Sequence, residues 1–241
     1  MNNSQPSFDA LLPREMAQRA ESIGASKADM QAMTMFSLAV LAGAFIALGA
    51  VFATTVTSGA GAVSLGGTSG TAGLPFGLSK LLAGLVFCLG LILVVVAGAE
   101  LFTGNNLIIM AWVNGRIPLS KLLRNWAVVY AGNLVGSVAT ALIMFLSKQY
   151  VLGGGAIGKT ALSIANAKCG LGFVQAVALG IMCNALVCLA VWLCYSARST
   201  TDKILAIIPP ISAFVAAGVG SYIIEGRGRL YRAAIGYEDM G

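Results

Sequence analysis

The stretch LLAGLVFCLGLILVVVAGAELFTGNN, residues 81–106, joins a long apolar run to an abrupt polar end. No charged residue lies between Lys80 and Glu100, and Glu100 is the only acidic residue between Asp29 and Asp202. An uncharged run of about 20 residues is long enough to cross a bilayer as a helix. The stretch therefore predicts a membrane span that is interrupted at residues 100–106.

The composition of the whole chain agrees with this reading. Of the 241 residues 58% are hydrophobic and only 10% are charged, and the mean hydropathy is +0.86. A soluble domain carries about a quarter charged residues. The net charge of +6 does not point to nucleic acid, because the basic residues are spread between apolar runs. We predict an all-α polytopic membrane protein that contacts lipid.

We divide the chain into three parts. Residues 1–30 form a cytoplasmic amphipathic segment, residues 31–224 a transmembrane channel domain, and residues 225–241 a polar tail. In the first part, apolar residues recur at helical spacing. They are Leu11, Leu12, Met16, Ala20 and Ile23.

The channel domain contains five apolar runs separated by polar or glycine-rich loops. The predicted runs are 34–56, 78–93 with a resumption at 107–113, 122–146, 171–195 and 204–224. Residues 147–170 are predicted to be a polar, glycine-rich loop. The fifth run is interrupted like the second, here at residues 218–220.

The charges of the connecting segments favour a cytoplasmic N-terminus. With that orientation, eight basic residues lie in the inside segments and four in the outside loops. The tail opposes this pattern, because after five complete spans it would carry Arg227, Arg229 and Arg232 outside. The fifth run is therefore predicted not to cross the membrane fully.

The two interruptions point to a permeation path. Backbone without helical hydrogen bonds is tolerated at membrane depth only inside protein or against a wet cavity. Breaks in corresponding segments of two halves are typical of transport proteins, and the path runs between them.

Four blocks, in order, resemble the formate–nitrite transporter family, and its formate channels most closely. They are FDALLPREMAQRAE (8–21), GAELFTGNN (98–106), RNWAVVYAGNLVGS (124–137) and GIMCNALVCLAVW (180–192). The resemblance implies an aquaporin-like, inverted-repeat bundle of six spans, with spans two and five broken, in a homopentamer with one pore per protomer. It implies transport of formate, nitrite, lactate, hydrosulfide or similar small monovalent anions, often with a proton, across a bacterial inner membrane.

The resemblance also assigns pore residues. They are Thr103 in the broken segment, the apolar constriction residues Phe87, Leu91 and Phe214, and Lys168 with Asn184 near the pore centre. An apolar ring disfavours a bare ion and passes a protonated acid more easily. Phe87 and Leu91, one helical turn apart, are expected to ring a single level, and Lys168 to attract anions. The alternative roles are packing for the apolar residues, a solvated lysine, and an interhelical hydrogen bond for Asn184.

Glu100, Gly104 and Asn105 are expected to be structural at the helix break. A carboxylate facing the pore would repel an anionic substrate. Glu100 is therefore expected to accept backbone N–H groups of the broken turn or to pair with another subunit.

Metal, cofactor and enzyme chemistry are not expected. The chain has no histidine, and its five cysteines contain no CxxC pair. An enzyme would also need a nucleophile–base pair. A structural or regulatory subunit remains a rival interpretation, in which the N-terminal segment binds a soluble partner.

The resemblance stops near Gly218. Val219, Gly220 and Ser221 stand where the formate-channel pattern has Phe, Glu and His. The remaining chain also leaves no room for a sixth span. We therefore consider a truncated or frame-shifted, non-conducting form as an alternative to a working channel. The choice between formate, nitrite and hydrosulfide stays open, although the N-terminal block favours formate.

Overall fold

The computed structural model describes residues 11–58 and 74–218, and these residues fold into a bundle of helices. The helices are α1 (Pro13–Asp29), α2 (Ala32–Thr57), α3 (Phe76–Ala97), α4 (Phe102–Asn105), α5 (Ile109–Val113), α6 (Leu119–Leu146), α7 (Ala156–Cys169), α8 (Phe173–Ser196) and α9 (Thr200–Ala216). Single 3₁₀ turns lie at Asn106–Ile108 and Gln149–Val151. The predicted loop at 59–73, positions 219–220 of the second break and the tail at 225–241 lie outside the described residues.

Four helices of the described part are long and apolar enough to cross a membrane: α2, α3, α6 and α8. They have 22 to 28 residues, which at 1.5 Å per residue gives roughly 33–42 Å. The prediction of an all-α membrane protein is confirmed. The fifth run forms α9, which has 17 residues and ends at Ala216, and Gly218 then adopts a left-handed φ of 70°.

Helices α2 and α6 touch backbone to backbone. A Cβ placed on Gly43 would lie 2.1 Å from the carbonyl oxygen of Asn133, and one on Gly136 would lie 1.8 Å from the oxygen of Val40. Gly132 is similarly close to the Ala39 side chain, at 2.5 Å. Small residues permit such approaches between membrane helices. These contacts fix the position of α6 along α2.

The remaining long helices continue this row. Helix α3 packs on the other side of α2, α9 packs on α3, and α8 packs on α9. Gly49 and Gly90 allow the α2–α3 approach, and Gly84 lies against the backbone of Ser212 in α9. The order α6–α2–α3–α9–α8 partly encloses a central space.

Helix α1 lies across one end of this bundle. Its buried residues are Met16, Ala20, Gly24 and Ala28, and they face α5, α6, α8 and the 3₁₀ turn before α5. Of the apolar positions named from the sequence, Met16 and Ala20 are buried, whereas Leu12 is exposed. Because this face packs on the chain's own helices, it is not available to the soluble partner suggested by the sequence.

Polar contacts hold α1 in place. Arg124 donates hydrogen bonds to the carbonyl oxygens of Ala28 and Met30. Lys121 pairs with Asp29 on the surface. The C-terminal end of α1 is thereby tied to the start of α6.

The prediction of a loop at residues 147–170 is wrong, because Ala156–Cys169 form α7. Gly155 begins the helix with φ of 83°, a conformation that glycine adopts at low cost. Ile157, Gly158 and Ala165 are buried on one face. The three glycines at 153–155 led to the loop prediction, although the helix starts directly after them.

We expect Gly136→Ala to destabilise the fold, because its methyl group would collide with the Val40 carbonyl. Overpacking of this kind costs about 1–3 kcal/mol. The measurement is the thermal unfolding midpoint of the purified protein in detergent, which should fall by several degrees.

Gly77→Ala is the matched control, since a Cβ at Gly77 in α3 meets nothing within 4 Å. It should leave the midpoint unchanged or raise it slightly, because alanine favours helix over glycine by about 1 kcal/mol. Equal midpoints for the two variants would contradict the close α2–α6 contact.

Candidate pore and the helix break

The second span breaks just before the predicted position. Helix α3 ends at Ala97, Gly98 adopts a left-handed φ of 71°, and the chain is extended at Leu101 before α4 begins at Phe102. The break thus lies at 98–101, and Thr103, Gly104 and Asn105 belong to the short helix that follows it. Gly98 accounts for the shift, because its left-handed conformation ends α3 before the polar residues begin.

Glu100 lies in a buried polar network. Its side chain is 3% exposed, Oε1 accepts a hydrogen bond from Lys27 Nζ at 2.8 Å, and Oε2 accepts one from Asn105 Nδ2 at 2.7 Å. Asn105 Oδ1 also accepts from Lys27 at 3.0 Å, and Asn105 Nδ2 donates to Asn125 Oδ1 at 3.0 Å. The network joins α1, the break and α6.

These partners differ from the expectation for Glu100. The carboxylate pairs with a lysine and an amide side chain of its own chain, rather than with backbone N–H groups of the turn or another subunit. The backbone N–H of Glu100 donates instead to the Leu38 carbonyl of α2 at 3.3 Å. The sequence did not predict the pairing of Lys27 with Glu100, because the two residues lie 73 positions apart in the chain.

Two cavities meet at the break. The larger one, of about 700 Å³, lies between α2, α3, α4, α6, α8 and α9, and the smaller one, of about 210 Å³, lies beneath it next to α1. Leu91 and Leu101 line both cavities. These two leucines therefore lie between the two cavities, and we refer to them as the partition.

Five of the six predicted pore residues line the larger cavity. They are Phe87, Leu91, Thr103, Asn184 and Phe214. The rings of Phe87 and Phe214 lie 5.8 Å apart between centroids. Leu91 reaches both cavities whereas Phe87 reaches only the larger one, so the two side chains lie at successive levels and not at a single level. One helical turn advances 5.4 Å, which separates them.

Polar groups in the larger cavity are few. The Thr103 hydroxyl makes no hydrogen bond within residues 11–58 and 74–218, and the Thr103 carbonyl accepts one from Cys188 Sγ at 3.3 Å. Asn184 Oδ1 is buried and has no hydrogen-bond partner in the described part of the chain. A mostly apolar cavity with a few polar groups is typical of a small-molecule site.

Lys168 does not line the larger cavity. It lies in the last turn of α7, where its Nζ donates to the Gly218 carbonyl at 3.2 Å. Burial lowers the pKa of the Lys168 ammonium, and the positive charge of Lys80 lowers that pKa further. The structure thus places Lys168 beside the end of α9, at the opposite end of the bundle from α1.

The smaller cavity is rich in positive charge. Arg19, Lys27 and Lys203 line it together with the single carboxylate of Glu100. Arg19 also donates to the Tyr195 carbonyl at 2.9 Å, which joins α1 to the end of α8. An excess of cations in a narrow space attracts small anions.

Sequence reasoning missed several residues of this site. Leu101 forms half of the partition, Asn133 is hydrogen-bonded to the break, and Tyr130 and Asn106 line the larger cavity. Leu101 could have been found from its place between Glu100 and Thr103. The others lie in the blocks at 98–106 and 124–137, but their roles could not be assigned from one sequence because they depend on contacts between distant helices.

The family model described as formate/nitrite transporter matches residues 14–225. The chain is 44% identical over 211 residues to the formate channel FocA of Escherichia coli K12, covering 88% of this chain and 70% of that protein. It is 42% identical over 216 residues to the formate channel FocA of Haemophilus influenzae, covering 90% and 72%.

Solved structures show the same fold. A pentameric formate channel with formate bound matches with a TM-score of 0.75 at 44% identity, covering 86% of this chain and 76% of that one. An ion channel of the FNT family matches with a TM-score of 0.71 at 28% identity, covering 87% and 79%.

We expect Lys27→Met to destabilise the protein, because it leaves the Glu100 carboxylate buried without its cation. Removing one partner of a buried ion pair costs about 3 kcal/mol. The double variant Lys27→Met/Glu100→Gln should recover much of the loss, since no unpaired charge remains. The measurement is the thermal midpoint in detergent.

Lys121→Met serves as the matched control, because Lys121 and Asp29 form an exposed pair with 46% and 56% of their side-chain surfaces accessible. Exposed pairs contribute about 0–1 kcal/mol, so the midpoint should hardly change. If Lys27→Met were as mild as Lys121→Met, the buried network would not stabilise the break.

Proposed function

The chain belongs to the formate/nitrite transporter family, a family of multi-pass membrane transporters, and from this premise we propose that it is a channel for formate and similar small monovalent anions. The observation that carries this proposal is the partition at Leu91 and Leu101 between two cavities of different character. A cationic cavity lies on one side and a mostly apolar cavity with Thr103 on the other.

The physical consequence concerns the state in which the substrate passes. A carboxylate must shed its water at an apolar partition, which is costly, whereas a protonated acid passes more easily. The Thr103 hydroxyl, with one donor and two acceptors, can orient either form. We therefore propose that formate crosses the partition together with a proton.

Lys168 supplies the proton in this proposal. Its lowered pKa makes the ammonium a better proton donor than an ordinary lysine at the same pH. Because Lys168 lies at the opposite end of the bundle from the cationic cavity, basic groups attract anions at both ends. Solvent restores the proton that Lys168 gives up.

The assembly and location follow the relatives. The structure with formate bound is a pentamer, and we propose that this chain forms a homopentamer with one pore per protomer. We propose a bacterial inner membrane, with α1 on the cytoplasmic side in agreement with the loop charges. The three-part division at residues 30 and 224 stays a proposal of the same kind.

We expect Thr103→Val to slow formate uptake into proteoliposomes by about tenfold. One hydrogen bond to a charged group contributes about 1.5 kcal/mol, and 1.4 kcal/mol corresponds to a factor of ten. The measurement is uptake of labelled formate, with nitrite and hydrosulfide as competitors.

Thr160→Val is the matched control, since the Thr160 hydroxyl bonds the Ala156 carbonyl of its own helix and lies in α7. It should leave uptake unchanged. Wild-type uptake no faster than that of empty vesicles would overturn the proposed function and favour a non-conducting form. Stronger competition by nitrite than by unlabelled formate would reassign the substrate within the family.

We expect uptake to rise as the external pH falls, because a larger fraction of formate is protonated. Lys168→Met should reduce uptake most at neutral and higher pH, where the anion must gain a proton, and least in acid. Lys159→Met, on an exposed turn of the same helix, is the control. A pH profile unchanged by Lys168→Met would exclude Lys168 as the proton donor.

A further inference from the structure

We propose that Asn133 is the positioning residue that makes the partition selective, because it holds Leu101 in place against Leu91. This inference rests on the proposed channel function. It extends that function to a residue of α6, which the sequence did not mark as part of the pore.

The side chain of Asn133 uses all of its main hydrogen-bonding groups on backbone. Nδ2 donates to the Ala39 carbonyl of α2 at 2.8 Å and to the Glu100 carbonyl at 2.9 Å, and Oδ1 accepts from the Phe102 N–H at 2.9 Å. Asn133 is only 3% exposed. The amide therefore joins three segments: α2, α6 and the helix break.

Two of these bonds flank Leu101. Glu100 and Phe102 are its neighbours in the chain, and both lie where the helix is interrupted. A continuous helix would have satisfied their backbone groups internally. Asn133 replaces those missing bonds from the side, and it clamps the backbone immediately before and after Leu101.

Asn133 itself is held rigidly. Gly43 lies directly against its backbone, where a Cβ would be 2.1 Å from the Asn133 oxygen, and Gly132 and Gly136 press α6 onto α2 on either side. The Ala39 carbonyl accepts a bond from the same amide group that bonds Glu100. The α2–α6 contact thus fixes Asn133, and the side-chain amide of Asn133 in turn fixes the backbone on both sides of Leu101.

The effect on transport follows from the place of Leu101. Leu91 and Leu101 are the leucines shared by both cavities, and both belong to one buried apolar cluster. A closed leucine contact forces a solute to lose water, whereas a loosened contact lets hydrated ions pass. Loss of the Asn133 clamp should therefore admit ions that the intact partition rejects.

The experiment compares formate and chloride in the full chain reconstituted into proteoliposomes. Vesicles containing valinomycin are shrunk osmotically with potassium formate or potassium chloride, so that potassium can enter together with the anion, and light scattering reports the rate of re-swelling. The variants are Asn133→Ala, which removes the amide, and Asn133→Asp, which keeps the shape and the acceptor but loses both donors. Both are first checked for an unchanged elution volume in detergent.

Thr140→Val is the matched control, because Thr140 is buried in the same helix but bonds only the Gly136 carbonyl of that helix. We expect the ratio of chloride to formate re-swelling to rise about tenfold in both Asn133 variants. Asn133→Ala loses both bonds at the break and the bond to Ala39, and Asn133→Asp loses the bonds to Glu100 and Ala39. Thr140→Val should keep the wild-type ratio.

The outcomes separate this inference from the proposed function. A wild-type protein that passes formate, with Asn133 variants that still exclude chloride, would overturn the positioning role and leave the channel function intact. A wild-type protein that passes neither salt would overturn the proposed function, and a chloride leak confined to the Asn133 variants would still support the clamp. A leak of equal size in Thr140→Val would mean general loosening of α6 and would refute the inference.

Discussion

The structure depends on satisfying polar groups where a helix is interrupted in an apolar environment. At 98–101 the second span lacks its helical hydrogen bonds, and unsatisfied backbone groups at membrane depth are costly. Asn133 bonds the carbonyl of Glu100 and the N–H of Phe102, and the Leu38 carbonyl accepts from the N–H of Glu100. The carboxylate of Glu100 is neutralised by Lys27 and hydrogen-bonded by Asn105. The interruption can therefore persist as a fixed feature of the fold.

Other features of the molecule serve this arrangement. The glycine contacts between α2 and α6 bring Asn133 to the break, and α1 brings Lys27 to Glu100. The N-terminal helix, which by sequence alone is a surface segment, thus supports the helix break through Lys27. Its apolar face is covered by α5, α6 and α8, and its polar face contributes Arg19 and Lys27 to the smaller cavity.

The break also accounts for the shape of the transport path. In an unbroken helix Leu101 would keep a regular helical backbone. Here its backbone is extended, and its side chain lines both cavities. Cationic residues then lie on one side of the partition, and Thr103 and Asn184 on the other. The partition thus separates a cationic cavity on the α1 side from a mostly apolar cavity with few polar groups.

From the amino-acid sequence we could predict the class of the protein, the four long spans, the interruption of the second span and five residues that line the larger cavity. Apolar run length, the lone Glu100 and the family motifs carry this information locally, since each depends on residues close together in the chain. The folded structure was needed to identify the partners of Glu100, the positions of Leu101 and Asn133, the successive levels of Phe87 and Leu91, and the helix at Ala156–Cys169. Most of these depend on contacts between helices distant in the chain, and α7 depends on the burial of one face. Neither contacts between distant helices nor the burial of one face of α7 can be recognised from periodicity or composition in one sequence.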